Sequence, residues 1–340
     1  AGQIFESIEK DFDYKNGGNF SELENLIDNI KEYKLVYWFA DVPNEKPKLI
    51  NDVKRRNKAC VLVTSKRNIE GKYTFPDLVY HSLGIKSNLL LEFTKKDNRY
   101  RGRVIDPLGN VFLDYNTDFD LVGKVLDKRA NELLSYSRVP SMNIVEGVEI
   151  PNKKEFFEIT KEYGVVFHDL IHAHPEAVNR FFGNASFRCE GGFPSFKSND
   201  MIFVSERNMD KRKINKNSFV GVKSGFPVRY FGEKKPSVDT PIQTKLYDYY
   251  KNINYMLHSH VYVSNAPFTK RVIPCGAIEE FYEIAEVFPD KNNVNFSVNL
   301  RGHGSLVLAD SVEYLKEIQY IARETPEIVP DYEKSLVRFT

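Results

Sequence analysis

The sequence predicts an α/β protein with two domains, and three observations carry that prediction. Short apolar runs alternate with helical stretches through the first third of the chain. A segment with two prolines and no periodicity, Val139 to Pro151, breaks the pattern. A second series of short strands and helices then runs to the end. Runs of 4–8 apolar residues bounded by turn residues read as strands, and apolar positions at helical spacing read as helices.

The runs 34–42, 58–64 and 87–93 are nearly continuous in apolar residues, which suits strands covered on both faces. Tyr100–Ile105 and Asn110–Tyr115, joined by Asp-Pro-Leu-Gly, predict a hairpin, because Pro107 presets φ and Gly109 tolerates a positive one. A helix from Asp118 to Ser137 follows, its stripe made by Leu121, Val122, Val125, Leu126, Leu133 and Leu134. These elements form an N-terminal α/β domain over 1–140 of unassigned role. Thr64-Ser65-Lys66-Arg67 could offer hydroxyls and cations to a phosphate but lacks any glycine-rich spacing, so it reads as a plain loop.

The second domain, 150–335, opens with a helical segment from Lys153 to about Phe182. Strands are expected at Met201–Val204, Phe219–Val222 and Val228–Tyr230, then a helix at Pro241–Asn252. The run Tyr-Met-Leu-His-Ser-His-Val-Tyr-Val over 255–263 comes next, then helices at Ala277–Val287 and Val312–Arg323 flanking strands at Asn295–Leu300 and Ser305–Leu308.

Composition bounds the partners. Forty-eight basic against forty-seven acidic residues leave a formal charge of +1, so no global electrostatic footprint for nucleic acid or an anionic membrane is present. At 41% hydrophobic and 28% charged, 340 residues suffice for two cores. Cys60, Cys189 and Cys275 are odd in number and widely spaced, which argues against a disulfide framework and a thiolate zinc site. Cys189 and Cys275 read as buried small hydrophobes. The first ten residues lack a charged n-region before an apolar run, and no stretch approaches the roughly 20 apolar residues of a spanning helix. A soluble, cytoplasmic protein in a reducing compartment is expected.

The strongest chemical signal is histidine spacing. If 255–263 is a strand, its period of two puts His258 and His260 on one face, where both can grip one metal ion. His303, in Arg-Gly-His-Gly, supplies a third imidazole. Three neutral imidazoles with an open fourth position describe a catalytic zinc site. His172 and His174 are a competing pair, but on a helix residues two apart point about 200° apart, so they share an ion poorly. His168 and His172, four apart, are better spaced.

Four landmarks occur in order: Gly183-Asn184-Ala185-Ser186-Phe187-Arg188, Ser237-Val238-Asp239, His258-Ser259-His260 and His303-Gly304. Together they resemble the class II aldolase/adducin family, over roughly residues 150–325. The resemblance implies an α/β/α domain around a mainly antiparallel sheet, with His258, His260 and His303 holding zinc or another divalent metal. It implies an acid/base role for Asp239, which stands nineteen residues before His258 where the family usually carries a glutamate. Asp239 also reads as a residue at a helix start, and the two readings are compatible. Gly183, Asn184 and Ser237 are the implied contacts to a phosphate or to the substrate's hydroxylated end. Ser205-Glu206-Arg207-Asn208 departs from the family's small-residue pair; Arg207 could grip an anion bidentately, whereas Glu206 would repel one.

The function expected from this resemblance is a zinc-dependent lyase acting on a small, hydroxylated, anionic substrate through a metal-stabilised enediolate. An epimerase or dehydratase on the same fold, or a non-catalytic adducin-like interaction module, are the alternatives. A homo-oligomer, tetrameric in many enzymes of the family, is implied as well.

Overall fold

The computed structural model describes residues 4, 30–41, 48–144, 146–171, 180–188, 201–225 and 227–335. The chain divides into two compact units, 1–135 with 324–340, and 136–323.

In the first unit the expected strands form, as β1 (Leu35–Asp41), β2 (Val61–Arg67), β3 (Leu89–Lys96), β4 (Arg99–Ile105) and β5 (Asn110–Asn116). β1, β2 and β3 pair in parallel, and β3, β4 and β5 pair antiparallel. Val61, Leu62 and Val63 are all buried, as a strand covered on both faces requires. The hairpin turn is tied by Asp106, whose Oδ1 accepts from the amides of Leu108 at 2.8 Å and Asn110 at 3.1 Å. Among the described residues, helices α1 (Lys48–Arg56), α2 (Phe75–Ile85) and α3 (Phe119–Ser135) accompany these strands. α2 starts at a capping box between Thr74 and Asp77. α3 buries Val122, Val125, Leu126 and Ala130 from its predicted stripe and the turn beyond it.

Two sequence expectations need correction here. Thr64 to Arg67 is strand rather than loop: β2 runs through Arg67, and Lys66 is buried with its ammonium 4.7 Å from the Tyr73 ring centre. The second domain does not extend to 335. β16 (Glu327–Ile328) adds in parallel to β5, which returns 324–340 to the first unit.

The second unit is built on an eight-stranded sheet ordered β13-β14-β11-β7-β8-β9-β10-β6. Its members are β6 (Ser141–Ile144), β7 (Asn184–Arg188), β8 (Met201–Ser205), β9 (Phe219–Lys223), β10 (Val228–Phe231), β11 (Tyr255–Ser259), β13 (Phe296–Leu300) and β14 (Gly304–Ala309). Every pairing is antiparallel except β10 with β6. The stretch expected to be a linker therefore contains an edge strand. Its Ser-Met-Asn-Ile is mostly exposed, so it carries no apolar alternation to reveal it.

Helices cover both faces of this sheet. On one face, α4 (Lys154–Leu170) packs Phe156, Phe157 and Phe167 against Phe187, Phe219, Leu257 and Val307. On the other, α5 (Thr240–Tyr249) and α6 (Glu279–Val287) pack Ile242, Leu246, Phe281 and Ile284 against Met256, Leu306 and Leu308. Strand alternation divides β11 between them: Tyr255 and Leu257 belong to the first core and Met256 to the second. His258 falls on the α5/α6 face by the same alternation.

α4 stops at Leu170, short of the expected Phe182; residues 172–179, with His172 and His174, lie outside the described residues. The last predicted helix is also shorter. α7 (Val312–Lys316) ends where the Tyr163 hydroxyl donates to the Leu315 and Ile318 carbonyls, and β15 (Tyr320–Ile321) then pairs with β12 (Tyr262–Val263). Among the described residues no helix is long and apolar enough to cross a membrane.

Candidate metal centre

Two glycines bring the backbone together around the histidines. Gly304 opens β14 at φ +150°, and a Cβ there would stand 1.9 Å from the Ser259 carbonyl oxygen. Gly183, at φ +78°, precedes β7, where a Cβ would stand 2.5 Å from the His258 carbonyl oxygen. Only glycine permits both the positive φ and the approach. β11 is thus held between β7 and β14, with Asn184 opposite His258 on one side and Leu306 opposite it on the other.

Nitrogen atoms of His258, His260 and His303, one from each ring, lie within 4.8 Å of one another. The ring centres are 4.7–5.2 Å apart. His258 is the next-to-last residue of the strand and His260 lies one residue past its end, yet the period of two is kept. His168 is not part of the cluster; its Nδ1 lies 3.4 Å from Asp169.

Each ring is oriented by a different partner. His258 Nδ1 stands 2.9 Å from the Ser305 carbonyl. A carbonyl only accepts, so Nδ1 carries the hydrogen and Nε2 presents its lone pair to the cluster. His303 Nδ1 is 2.6 Å from Glu280 Oε1, the carboxylate–imidazole pairing that fixes tautomer and ring in metal sites. His260 stacks on Phe182, with centres 4.2 Å apart and planes 12° from parallel. Among the described residues His258 Nε2 and His260 Nδ1 are buried without a hydrogen-bond partner. Buried polar atoms without partners cost roughly 1–3 kcal/mol each, so a cluster of them is a site shaped for something else.

Burial, reinforced by the neighbouring His303, pushes His258 down to about 4. Burial and the two other rings hold His260 well below the ordinary histidine range. Burial also disfavours the charged form of His303, but Cys275 and Glu280 together more than offset it and raise this ring well above that range. His258 and His260 are therefore neutral donors, and the proton of the metal-free site rests on His303. Three convergent imidazoles, two with unpartnered nitrogens, fit a divalent cation that prefers nitrogen donors.

Asp239 sits beside this cluster, buried, with Oδ2 3.9 Å from His258 Nε2. Oδ2 accepts from Asn184 Nδ2 at 3.0 Å and from Ser237 Oγ at 3.3 Å, while Oδ1 has no partner among the described residues. Gln243, one turn into α5, donates to Asn184 Oδ1 and fixes that amide. Asp239 precedes α5 as expected, but its side chain makes no cap and turns into the site instead. Gly183, Asn184, Ser237, Asp239 and His258 thus converge. Arg207 lies nearby and is exposed, with Nε donating to the Pro236 carbonyl at 3.3 Å. Glu206 is paired with Lys234 at 2.9 Å, which answers the charge that an anion would have met.

A groove open to solvent is lined by Phe167, His168, Arg180, Phe182, Asp210, Lys211 and Arg212, among others. Phe182 is common to the groove and the cluster. The buried Lys211 ammonium donates to the Met209 carbonyl at 2.8 Å and interacts electrostatically with Asp239.

Residues 169–282 match the family model of the class II aldolase and adducin N-terminal domain. This segment is a class II aldolase/adducin domain. Solved structures similar to the chain include an L-fuculose 1-phosphate aldolase (14% identity, TM-score 0.36, 50% of this chain and 84% of that one). Others are a putative aldolase/epimerase/decarboxylase from Klebsiella pneumoniae (12%, 0.34, 55% and 99%) and the N-terminal class II aldolase domain of a Thermoplasma acidophilum protein (16%, 0.34, 57% and 98%). A comparison with curated protein sequences gave no match.

Sequence reasoning missed four groups at the edge of the aldolase/adducin domain's site: Glu280, Gln243, Lys211 and Cys275. Cys275 is half-buried rather than a core hydrophobe, with Sγ 3.0 Å from His303 Nε2. Its Pro-Cys-Gly-Ala context was a readable turn signal.

Proposed function

We propose that this domain is a divalent-cation-dependent lyase of class II aldolase type, with zinc as the cation. The substrate is small, hydroxylated and anionic, of the sugar-phosphate kind, and the reaction makes or breaks a carbon–carbon bond. The observation that carries the reading is the donor set: three imidazoles whose nitrogens lie within 4.8 Å, two of them buried and unpartnered. When bound, the cation supplies Lewis-acid stabilisation of the negative charge of an enediolate.

The chain's own residues supply the rest. Glu280 and the Ser305 carbonyl hold two rings in their donor tautomers. Asp239 is the group that takes and returns a proton, at Oδ1, while Asn184 and Ser237 pin Oδ2. Arg212 is paired with Asp210 in the groove beside Phe182, and Arg180 and Lys211 leave its lining net positive, which suits an anionic substrate.

Metal content by mass spectrometry tests this on protein purified without added metal. About one divalent ion per chain is expected in the wild type, absent from the His258→Ala/His260→Ala variant. Asp239→Asn should keep the ion and lose at least about 100-fold in turnover of whichever sugar phosphate or hydroxy acid a screen identifies. A wild type that stays empty when offered zinc overturns the reading in favour of an interaction module. Full turnover by Asp239→Asn assigns the proton transfer elsewhere.

A further inference from the structure

Cys275 lies in a turn, not in the packed interior. The Ala277 amide donates to the Pro274 carbonyl at 3.2 Å, and Gly276 has φ +77°, so Pro-Cys-Gly-Ala forms a turn of the type II class. A Cβ on Gly276 would stand 3.1 Å from the Val238 carbonyl. The turn is therefore seated on the residue just before Asp239, and Cys275 is carried to the rim of the imidazole cluster.

Its sulfur points at a particular atom. Sγ is 3.0 Å from Nε2 of His303, and the other nitrogen of that ring is engaged by Glu280 at 2.6 Å. Nε2 is the nitrogen left to donate to a cation, so the thiol stands in the direction along which His303 would bind one. A second observation independent of the cysteine marks the same place: His258 is buried, and its Nε2 lies in the cluster without a partner.

We propose that Cys275 supplies a sulfur donor to the cation held by His258, His260 and His303. The inference rests on the metal reading above and sharpens it. Asp239 is committed elsewhere in this reading: Oδ2 is engaged by Asn184 and Ser237, and Oδ1 is the proton carrier. A half-buried side chain on a turn, with one torsion to rotate, can adjust its distance to the ion. A thiolate also balances charge in a cluster whose other donors are neutral. Zinc can expand from four donors to five, so a sulfur in the set still leaves room for substrate. Soft sulfur further ranks zinc and cobalt(II) above magnesium or manganese.

Cobalt(II) titration of the metal-free full chain, followed by near-ultraviolet absorption and mass spectrometry, tests the assignment. The expected result is about one cobalt per chain, with a sulfur-to-cobalt charge-transfer band in the wild type. That band should persist in Asp239→Asn and disappear in Cys275→Ser. Stoichiometric cobalt without the band in the wild type overturns the sulfur ligand and leaves the imidazole site standing. A band that survives Cys275→Ser assigns the sulfur to another cysteine and equally overturns it. No cobalt binding by any form overturns both readings together. Should Cys275→Ser fail to fold, Cys275→Ala is read in the same way, and a cobalt-loaded wild type without the band overturns the assignment in either case.

Discussion

In the N-terminal unit Glu92 is fully buried, and its carboxylate is surrounded by donors. Oε2 accepts from Arg103 at 2.7 and 2.6 Å, and Oε1 accepts from Asn68 at 2.7 Å and Tyr115 at 3.0 Å. The Arg103 guanidinium in turn lies over the rings of Phe75 and Tyr115. In the aldolase/adducin domain, by contrast, His258 Nε2, His260 Nδ1 and Asp239 Oδ1 are buried with lone pairs unmet. Both regions bear the cost of desolvating polar groups. A network closed on itself returns that cost as fixed structure, whereas one left open on a single side is complementary to a ligand.

The comparison breaks most sharply at Glu92. Glu92→Ala strands the Arg103 charge in the interior, and removing one partner of a buried pair costs about 3–5 kcal/mol. The expected outcome is a large loss in the unfolding free energy of the first unit, followed by denaturant titration, with zinc uptake by the second unit unchanged. A loss below about 1 kcal/mol, the range of an exposed pair, would mean that the closed network is no more than a surface contact.

Lys211 tests the open side through pH. Its side chain is 6% exposed, and burial, partly opposed by Asp239 and Asp210, pushes its ammonium down to about 8 from 10.5. Between those values the unfolded chain holds a proton that the folded chain has released. Stability therefore rises with pH across that window, and the cost of burying the charge is fully present below it. The whole change amounts to about 3 kcal/mol. Lys211→Met should remove this rise from stability measured between pH 8 and 10.5; an identical slope in both proteins would place the ammonium in contact with water.

How far the site was legible follows from the range of its contacts. The imidazole triad was readable because His258 and His260 obey a local period and His303 follows in a glycine pair that a strand start demands. Asp239 was readable only by its spacing to His258. Glu280 was not readable, since Glu279-Glu280 is an ordinary acidic first turn, and only the packing of α6 against the sheet selects which of the two faces His303. The same limit explains the fold errors. Nothing in Val312 to Arg323 announces that Tyr163, far back in the chain, will cap the helix early. Ser141–Ile144 lies at a sheet edge, where exposure erases alternation.

The finest distinction is between two buried glutamates. Glu280 resembles Glu92 in burial and in holding a basic partner, but the partner is a ring whose other nitrogen faces the open cluster. Glu280→Gln keeps an oxygen that can accept from Nδ1 of His303 and removes the charge that makes the ring a stronger donor. Zinc affinity, measured by competition with a chelator, should fall about 10–100-fold, as for other partners that orient a ligand. Metal-free stability should fall less than in Glu92→Ala, because His303 can release its proton and keep a neutral hydrogen bond to the amide oxygen, whereas Arg103 cannot. The opposite pattern, a large loss of stability with zinc affinity intact, would place Glu280 with Glu92 as a closed structural pair.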